Sequence, residues 1–299
     1  MRLGVVILPE DRWTEAGRAT WLAAEDVGFA HAWTYDHLAW RSLRDSSWFG
    51  AVPVLAAAAA VTSRLRLGTL VASPNFRHPV PFARELLALD DLSGGRFTLG
   101  IGAGGEGWDA AILGGEPWSP GERTARFEEF VTLLDRLLVE REVSFAGRFY
   151  DAVEARSHPG CVQSPRLPFA IAATGPRGMA LAARFGDAWV TTGDRTDGAP
   201  ADAIVGAEQI RRQVTRLEAA CAEAGRDPSS IDRLVLSGPS LAPGLGSVAE
   251  FEDTLGRYAE AGASDFVVHW PRSSEPYLGD RATFEAIVAA SNTATTSEA

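Results

Sequence analysis

The sequence contains no lysine: its basic residues are all arginine. That excludes a lysine Schiff base and the lysine of a Walker phosphate loop. Only two thiols are present, Cys161 and Cys221. With no H-E-x-x-H motif and no clustered Cys/His, no metal is expected. A G-x-S-x-G elbow is missing too, which removes the usual nucleophilic serine arrangement. No charged segment followed by an apolar one marks the N-terminus, so a reduced, cytoplasmic protein is expected. The longest apolar run, AVPVLAAAAAV at 51–61, is too short and alanine-rich to span a bilayer and reads as a buried helix. Positive charge is also scarce. Against 39 acidic residues there are 28 basic ones, a net charge of −11, which argues against nucleic acid or an anionic membrane as the main partner.

What is present is a regular alternation. Near-continuous apolar strands are read at 2–8, 31–36, 65–73, 96–104, 169–174, 187–192, 233–238 and 265–270, most of them followed by helical patterns. Continuously apolar strands are buried on both faces, as in a parallel sheet covered by helices. Eight is the number that closes a barrel. The expected fold is therefore α/β, a (β/α)8 TIM barrel rather than a doubly wound open sheet. It forms one domain over 1–290, with SNTATTSEA at 291–299 a disordered tail. Two stretches, 105–120 and 141–168, interrupt the alternation and read as irregular insertions near a site.

Chemistry in such a barrel sits where the strands end. The run GAGGEG at 102–107 fits G-x-G-x-x-G, but no long helix follows directly, so a dinucleotide fingerprint is disfavoured. A tight turn, or glycines that let a flat ring approach the backbone, are the other readings. ATGPRG at 173–178 places a strand, a turn and a helix start in order, and the first amides of that helix make an anion site to which Arg177 adds a donor. The competing reading is an ordinary turn with proline at the helix start. In HAWTYDHLAW at 31–40, Asp36 and His37 close the second strand. Adjacent strand residues point oppositely, so the pair works together only if the strand has ended. Either His37 is an acid/base group with a carboxylate fixing its tautomer, or the two cap the strand. His269 ends the eighth strand and is the next candidate. His31 is expected to be structural or exposed, and His78 to help position a helix start. Trp40, Trp48, Trp108, Trp118 and Trp270 fall at strand ends and insertions, as an aromatic wall for a flat ligand would.

Three stretches together, TYDHLAW, RLRLGTLVASPNFRHPVPFARELLALDDLSGGRFTLGIGAGG and FAIAATGPRGMALAARFGDAWVTTG, resemble the bacterial luciferase-like family of flavin- and deazaflavin-dependent oxidoreductases, in particular its coenzyme F420 branch. The resemblance implies the barrel with the cofactor ring at its C-terminal mouth and Asp36 and His37 beside the ring. It also implies a bulge in the third strand with a non-proline cis bond, which alignment puts at Leu70–Val71. Ser73, Gly104 and Gly105 would line the cofactor, and Ala173, Thr174, Gly175 and Pro176 its phosphate side. Two departures stand out. Trp40 follows Asp36 by four positions where relatives acting on sugar phosphates have five, and the lysine some members direct at a phosphorylated substrate has no counterpart. A sugar phosphate is therefore disfavoured.

The function expected from the resemblance is hydride transfer between F420 and a small organic substrate. His37 would be the acid/base group, Asp36 would orient it or touch the cofactor, and Glu106 and His269 would be further groups for substrate protonation. The alternatives are an FMN-dependent monooxygenase using reduced flavin and O2, and a cofactor-less binding relative. A homodimer is expected, with a separate flavin or F420 reductase supplying reduced cofactor. Because the chain is acidic, Arg77 or Arg177 would have to offset the anionic, polyglutamylated tail of F420.

Overall fold

The computed structural model describes residues 1–105, 107–195, 198–238 and 240–297. Eight parallel strands close a barrel in the order β1-β10-β9-β8-β7-β4-β3-β2. They are β1 Arg2–Val6, β2 His31–Thr34, β3 Arg66–Ala72, β4 Phe97–Gly102, β7 Phe169–Ala172, β8 Ala188–Thr191, β9 Asp232–Leu236 and β10 Asp265–His269. The expected strand-helix alternation is thus observed, with strand ends trimmed by one or two residues and β9 beginning one residue earlier. An open sheet is excluded because β1 pairs with both β2 and β10. Around the barrel lie α1 Arg18–Val27, α2 Ala51–Val61, α3 Pro79–Leu92, α5 Pro120–Val139, α6 Pro176–Phe185, α7 Ala203–Glu223, α8 Val248–Glu260 and α9 Arg281–Ser297. Among the described residues no helix is long and apolar enough to cross a membrane.

Two apolar cores follow from this geometry. The larger fills the layer between strands and helices and includes Trp21, Phe82, Phe130, Trp189 and Phe266. The smaller fills the barrel itself with Val6, Trp33, Leu70, Val190, Leu234 and Val267. Trp33 fits inside because residue 68 is glycine: a Cβ there would lie 2.4 Å from its ring.

Helix starts are written locally. His78 caps α3, its Nδ1 accepting from the Val80 amide at 3.2 Å, with Pro79 at the first turn, as expected for that histidine. Ser119 and Glu122 form a reciprocal capping box at α5, and Asp202 caps α7. Gly175 at the start of α6 has no side chain with which to cap.

Two segments differ from expectation. The stretch 105–120 contains a short helix, α4 Trp108–Ala111. The segment 141–168 is not wholly irregular, since β5 Glu142–Ala146 and β6 Asp151–Arg156 form an antiparallel hairpin outside the barrel. Its turn is held by Glu129 of α5, whose carboxylate accepts from the amides of Arg148, Phe149 and Tyr150. No local signal announces that long-range contact. Finally, α9 is drawn to Ser297, within the segment 291–299 read from the sequence as a tail, of which 298–299 lie outside the described residues.

Candidate active site at the C-terminal end of the barrel

The site is built from the ends of β2, β3, β4, β7, β8 and β10. Asp36, two residues beyond β2, is 2% exposed. Both its oxygens accept from Arg77, at 3.0 Å from Nε and 2.7 Å from Nη2. Arg77 also donates to Glu85 at 2.6 Å. Asp36 therefore does not orient His37, as the sequence allowed. That contact belongs to Asp109 of α4, one oxygen of which meets His37 Nδ1. The other accepts from the backbone amides of Leu38 and Ala39 at 2.7 and 3.1 Å. Trp48 Nε1 donates to the His37 carbonyl at 2.8 Å. The His37 side chain is 30% exposed, and its Nε2 is the ring nitrogen left without a hydrogen bond among the described residues. Sequence reasoning missed Asp109 because it lies 72 residues away, in a stretch with no periodicity.

Within the C-terminal half of β3 the backbone is irregular in the expected place. The register against β4 shifts between Thr69 and Ala72, and the Leu70–Val71 peptide bond is cis. Leu70 and Ser73 are buried, and Ser73 Oγ accepts from the Asn75 amide at 3.4 Å. Asn75 in turn donates to the Gly105 carbonyl at 3.2 Å. Gly104 has φ 74°, and a Cβ on it would sit 2.5 Å from Asn75 Oδ1. Only glycine fits that turn. Glu106, expected to serve substrate protonation, lies outside the described residues.

Across the mouth, His269 is buried, on the wall of a cavity of about 300 Å³. Tyr35 Oη lies 2.7 Å from its Nε2, and the Tyr277 ring stacks on it at 3.5 Å. Burial pulls the imidazole pKa down to about 3 and holds the Tyr35 hydroxyl well above its ordinary range. His269 is thus a neutral group near neutral pH, not an imidazolium acid. Tyr277 also stacks on Trp40, and Trp40 on Trp48, so an aromatic wall is present. Its membership differs from expectation. Tyr35 and Tyr277 belong to it, Trp108 lies under Arg44 at 3.8 Å, and Trp270 is buried against Phe284 in the outer core.

At β7 and β8 a cavity of about 470 Å³ is lined by Ala103, Ala172 through Gly178 and Val190 through Thr192, with Thr124 and Phe127 of α5. Ala173, Thr174, Gly175, Pro176 and Arg177 are thereby brought together at the uncapped start of α6, whose first amides and dipole favour an anion. Arg177 is less free than expected, because its Nε donates to Glu128 at 2.7 Å. Neither Arg77 nor Arg177 is an unpaired cation, so the charge offset expected of them is already spent on carboxylates.

Comparison with known proteins gives the family and the fold. A family model described as luciferase-like monooxygenase matches residues 1–244. An F420-dependent glucose-6-phosphate dehydrogenase of Beutenbergia cavernae is 39% identical over 172 residues, 56% of this chain and 50% of that protein. A 4-hydroxyprotoasukamycin monooxygenase of Streptomyces nodosus subsp. asukaensis is 34% identical over 185 residues, covering 60% of this chain and 47% of that one. The chain spans about half the length of the curated relatives it matches. Among solved structures, an F420-dependent secondary alcohol dehydrogenase in complex with an F420-acetone adduct superposes with a TM-score of 0.80 at 19% identity, covering 97% of each chain. That similarity concerns the fold.

Proposed function

The chain belongs to the luciferase-like monooxygenase family, and from that premise we propose that it is an oxidoreductase that moves a hydride between coenzyme F420 and a small organic substrate. The observation that carries this reading is the His37–Asp109 pair at the mouth. A carboxylate on Nδ1 fixes the tautomer and leaves Nε2 to exchange a proton with a substrate hydroxyl or carbonyl. His37 takes the proton when a hydroxyl is oxidised and returns it in the reverse direction.

The residues present fit a flat, phosphate-bearing cofactor. Gly104 keeps the β4 turn bare, and the α6 start offers uncapped amides in a large cavity. When bound, the deazaflavin supplies the ring carbon that carries the hydride. Arg77 neutralises Asp36, so the buried carboxylate can stand beside an anionic cofactor. Tyr35, Trp40, Trp48 and Tyr277 exclude water from the mouth, and His269, kept neutral by burial, offers a hydrogen bond rather than a charge. The Beutenbergia relative supports the cofactor assignment. The missing lysine and the paired states of Arg77 and Arg177 argue against a sugar phosphate as substrate.

A reduced-flavin monooxygenase is the second reading, supported by the 34% identity to the Streptomyces enzyme. Parallel fluorescence titration of the apo-protein with oxidised F420 and with FMN separates the two. Micromolar F420 binding, at least tenfold tighter than FMN, is the expected result. Preferential FMN binding replaces the first reading with the second.

A further inference from the structure

A second cavity, of about 380 Å³, opens on the other flank of α5, between the loop joining β3 to α3 and the turn of the β5–β6 hairpin. Among the described residues its wall includes Arg77, His78, Arg126 and Arg148 and no carboxylate, in a chain whose net charge is −11. Two of these cations are already matched. Arg77 pairs with Asp36 and Glu85, and Arg148 with Glu122. Arg126 is not.

Arg126 is 8% exposed and makes one hydrogen bond, from Nη2 to Asn75 Oδ1 at 3.2 Å. Its guanidinium lies 5.1 Å from the Trp118 ring centre. Among the described residues its Nε has no partner, and neither does the hydroxyl of Tyr150, a residue of the same wall that is 7% exposed. Burying a guanidinium without an anion, next to an unsatisfied hydroxyl, is unfavourable unless a ligand completes both. Trp118 and Phe149, in edge contact at 5.6 Å, add an apolar flank.

We propose that this cavity is a subsite for a carboxylate carried on a flexible alkyl chain, received by the Arg126 guanidinium with the Tyr150 hydroxyl as second donor. A planar guanidinium matches a carboxylate with two parallel hydrogen bonds, and the aromatic flank suits the methylenes behind it. Two sources share this chemistry: the oligoglutamate tail of the cofactor, and an acid that binds independently as substrate. The first source rests on the F420 reading above; the subsite itself does not.

The test is calorimetric titration of the apo-protein with glutarate and with γ-glutamyl-glutamate. Millimolar binding is expected, weakened at least tenfold by Arg126→Gln and about threefold by Tyr150→Phe. The second variant keeps the ring against His78 and Phe130, so it reports even if the first is poorly folded. Absence of binding at tens of millimolar, or binding unchanged in a folded Arg126→Gln and in Tyr150→Phe, overturns the proposal. F420 with and without its glutamates then separates the sources by fluorescence. Affinity lost on trimming, with the loss abolished in Tyr150→Phe, assigns the tail. Equal affinities alongside intact diacid binding assign an independent acid. Diacid binding without any deazaflavin binding refutes the cofactor reading and upholds the subsite.

Discussion

At the N-terminal end of the barrel His31 meets Asp265, and at the C-terminal end His37 meets Asp109. The groups are the same and their surroundings are opposite. His31 uses both ring nitrogens: Nε2 lies 3.0 Å from Asp265, and Nδ1 accepts from Trp33 Nε1 at 2.6 Å. Asp265 also accepts from Arg2 twice, at 2.7 Å each, and from Ser264 at 2.6 Å. Burial alone would raise the pKa of Asp265, but the hydrogen bonds from His31 and Arg2 outweigh it and hold the carboxyl well below its ordinary range. A cavity of about 340 Å³ borders this cluster, yet no lone pair or proton of the histidine is left to act on a ligand there. His37 is tied through one nitrogen only. A histidine with both nitrogens engaged is a fastener; one with a free nitrogen facing a cleft is a reagent.

The sharpest way to break this contrast is to remove each imidazole's function in turn. His37→Ala is expected to lower turnover by about 10²–10⁴-fold while changing cofactor affinity little. Steady-state rates and fluorescence titration check the two halves, and unchanged turnover would end the case for His37 as acid or base. Asp109→Asn should give a smaller loss together with a shifted pH–rate profile.

At the other end, Asp265→Ala is expected to cost about 2–4 kcal/mol of stability with turnover per folded molecule unchanged. Urea unfolding and activity assays decide it. A large activity loss in a folded variant would mean that the bottom pair is not merely structural. Because the Asp265 pKa is depressed in the folded state, its contribution is fully present above the ordinary carboxylate range and fades as pH falls through and below it.

His269 offers an intermediate case, at the mouth but buried. Its folded pKa, about 3, lies below the ordinary 6.5. Below pH 6.5 the unfolded chain therefore binds a proton that the folded chain does not. Stability should fall by about 1 kcal/mol per pH unit between pH 6 and 4, and His269→Gln should reduce that slope. A slope unaffected by the substitution would show that His269 is not held neutral.

Much of the frame was readable in advance. Strands such as Asp265–His269, buried at every position, announce themselves because a parallel barrel strand must be apolar on both faces. The start of α3 was readable in NFRHP, since capping acts over two or three residues. The mouth followed from the barrel, and with it the positions of Asp36, His37, Gly104 and Thr174. Less was readable where one residue's role depends on another far away. Asp36 looked like the partner of its neighbour, yet its charge is taken by Arg77, and His37 is served by Asp109. Trp270 looked like part of the wall because it follows β10, but the next turn buries it against Phe284.

The sequence by itself determined the alternation of strands and helices, the closure at eight and the end of the barrel that carries chemistry, because periodicity, capping and strand burial are local or repeat along the chain. Only the tertiary structure decided which acid serves which base, which arginine stays unmatched, and that Glu129 holds a hairpin turn. Those depend on ion pairs and hydrogen bonds between segments tens of residues apart, and no period or motif connects such partners before the chain has folded.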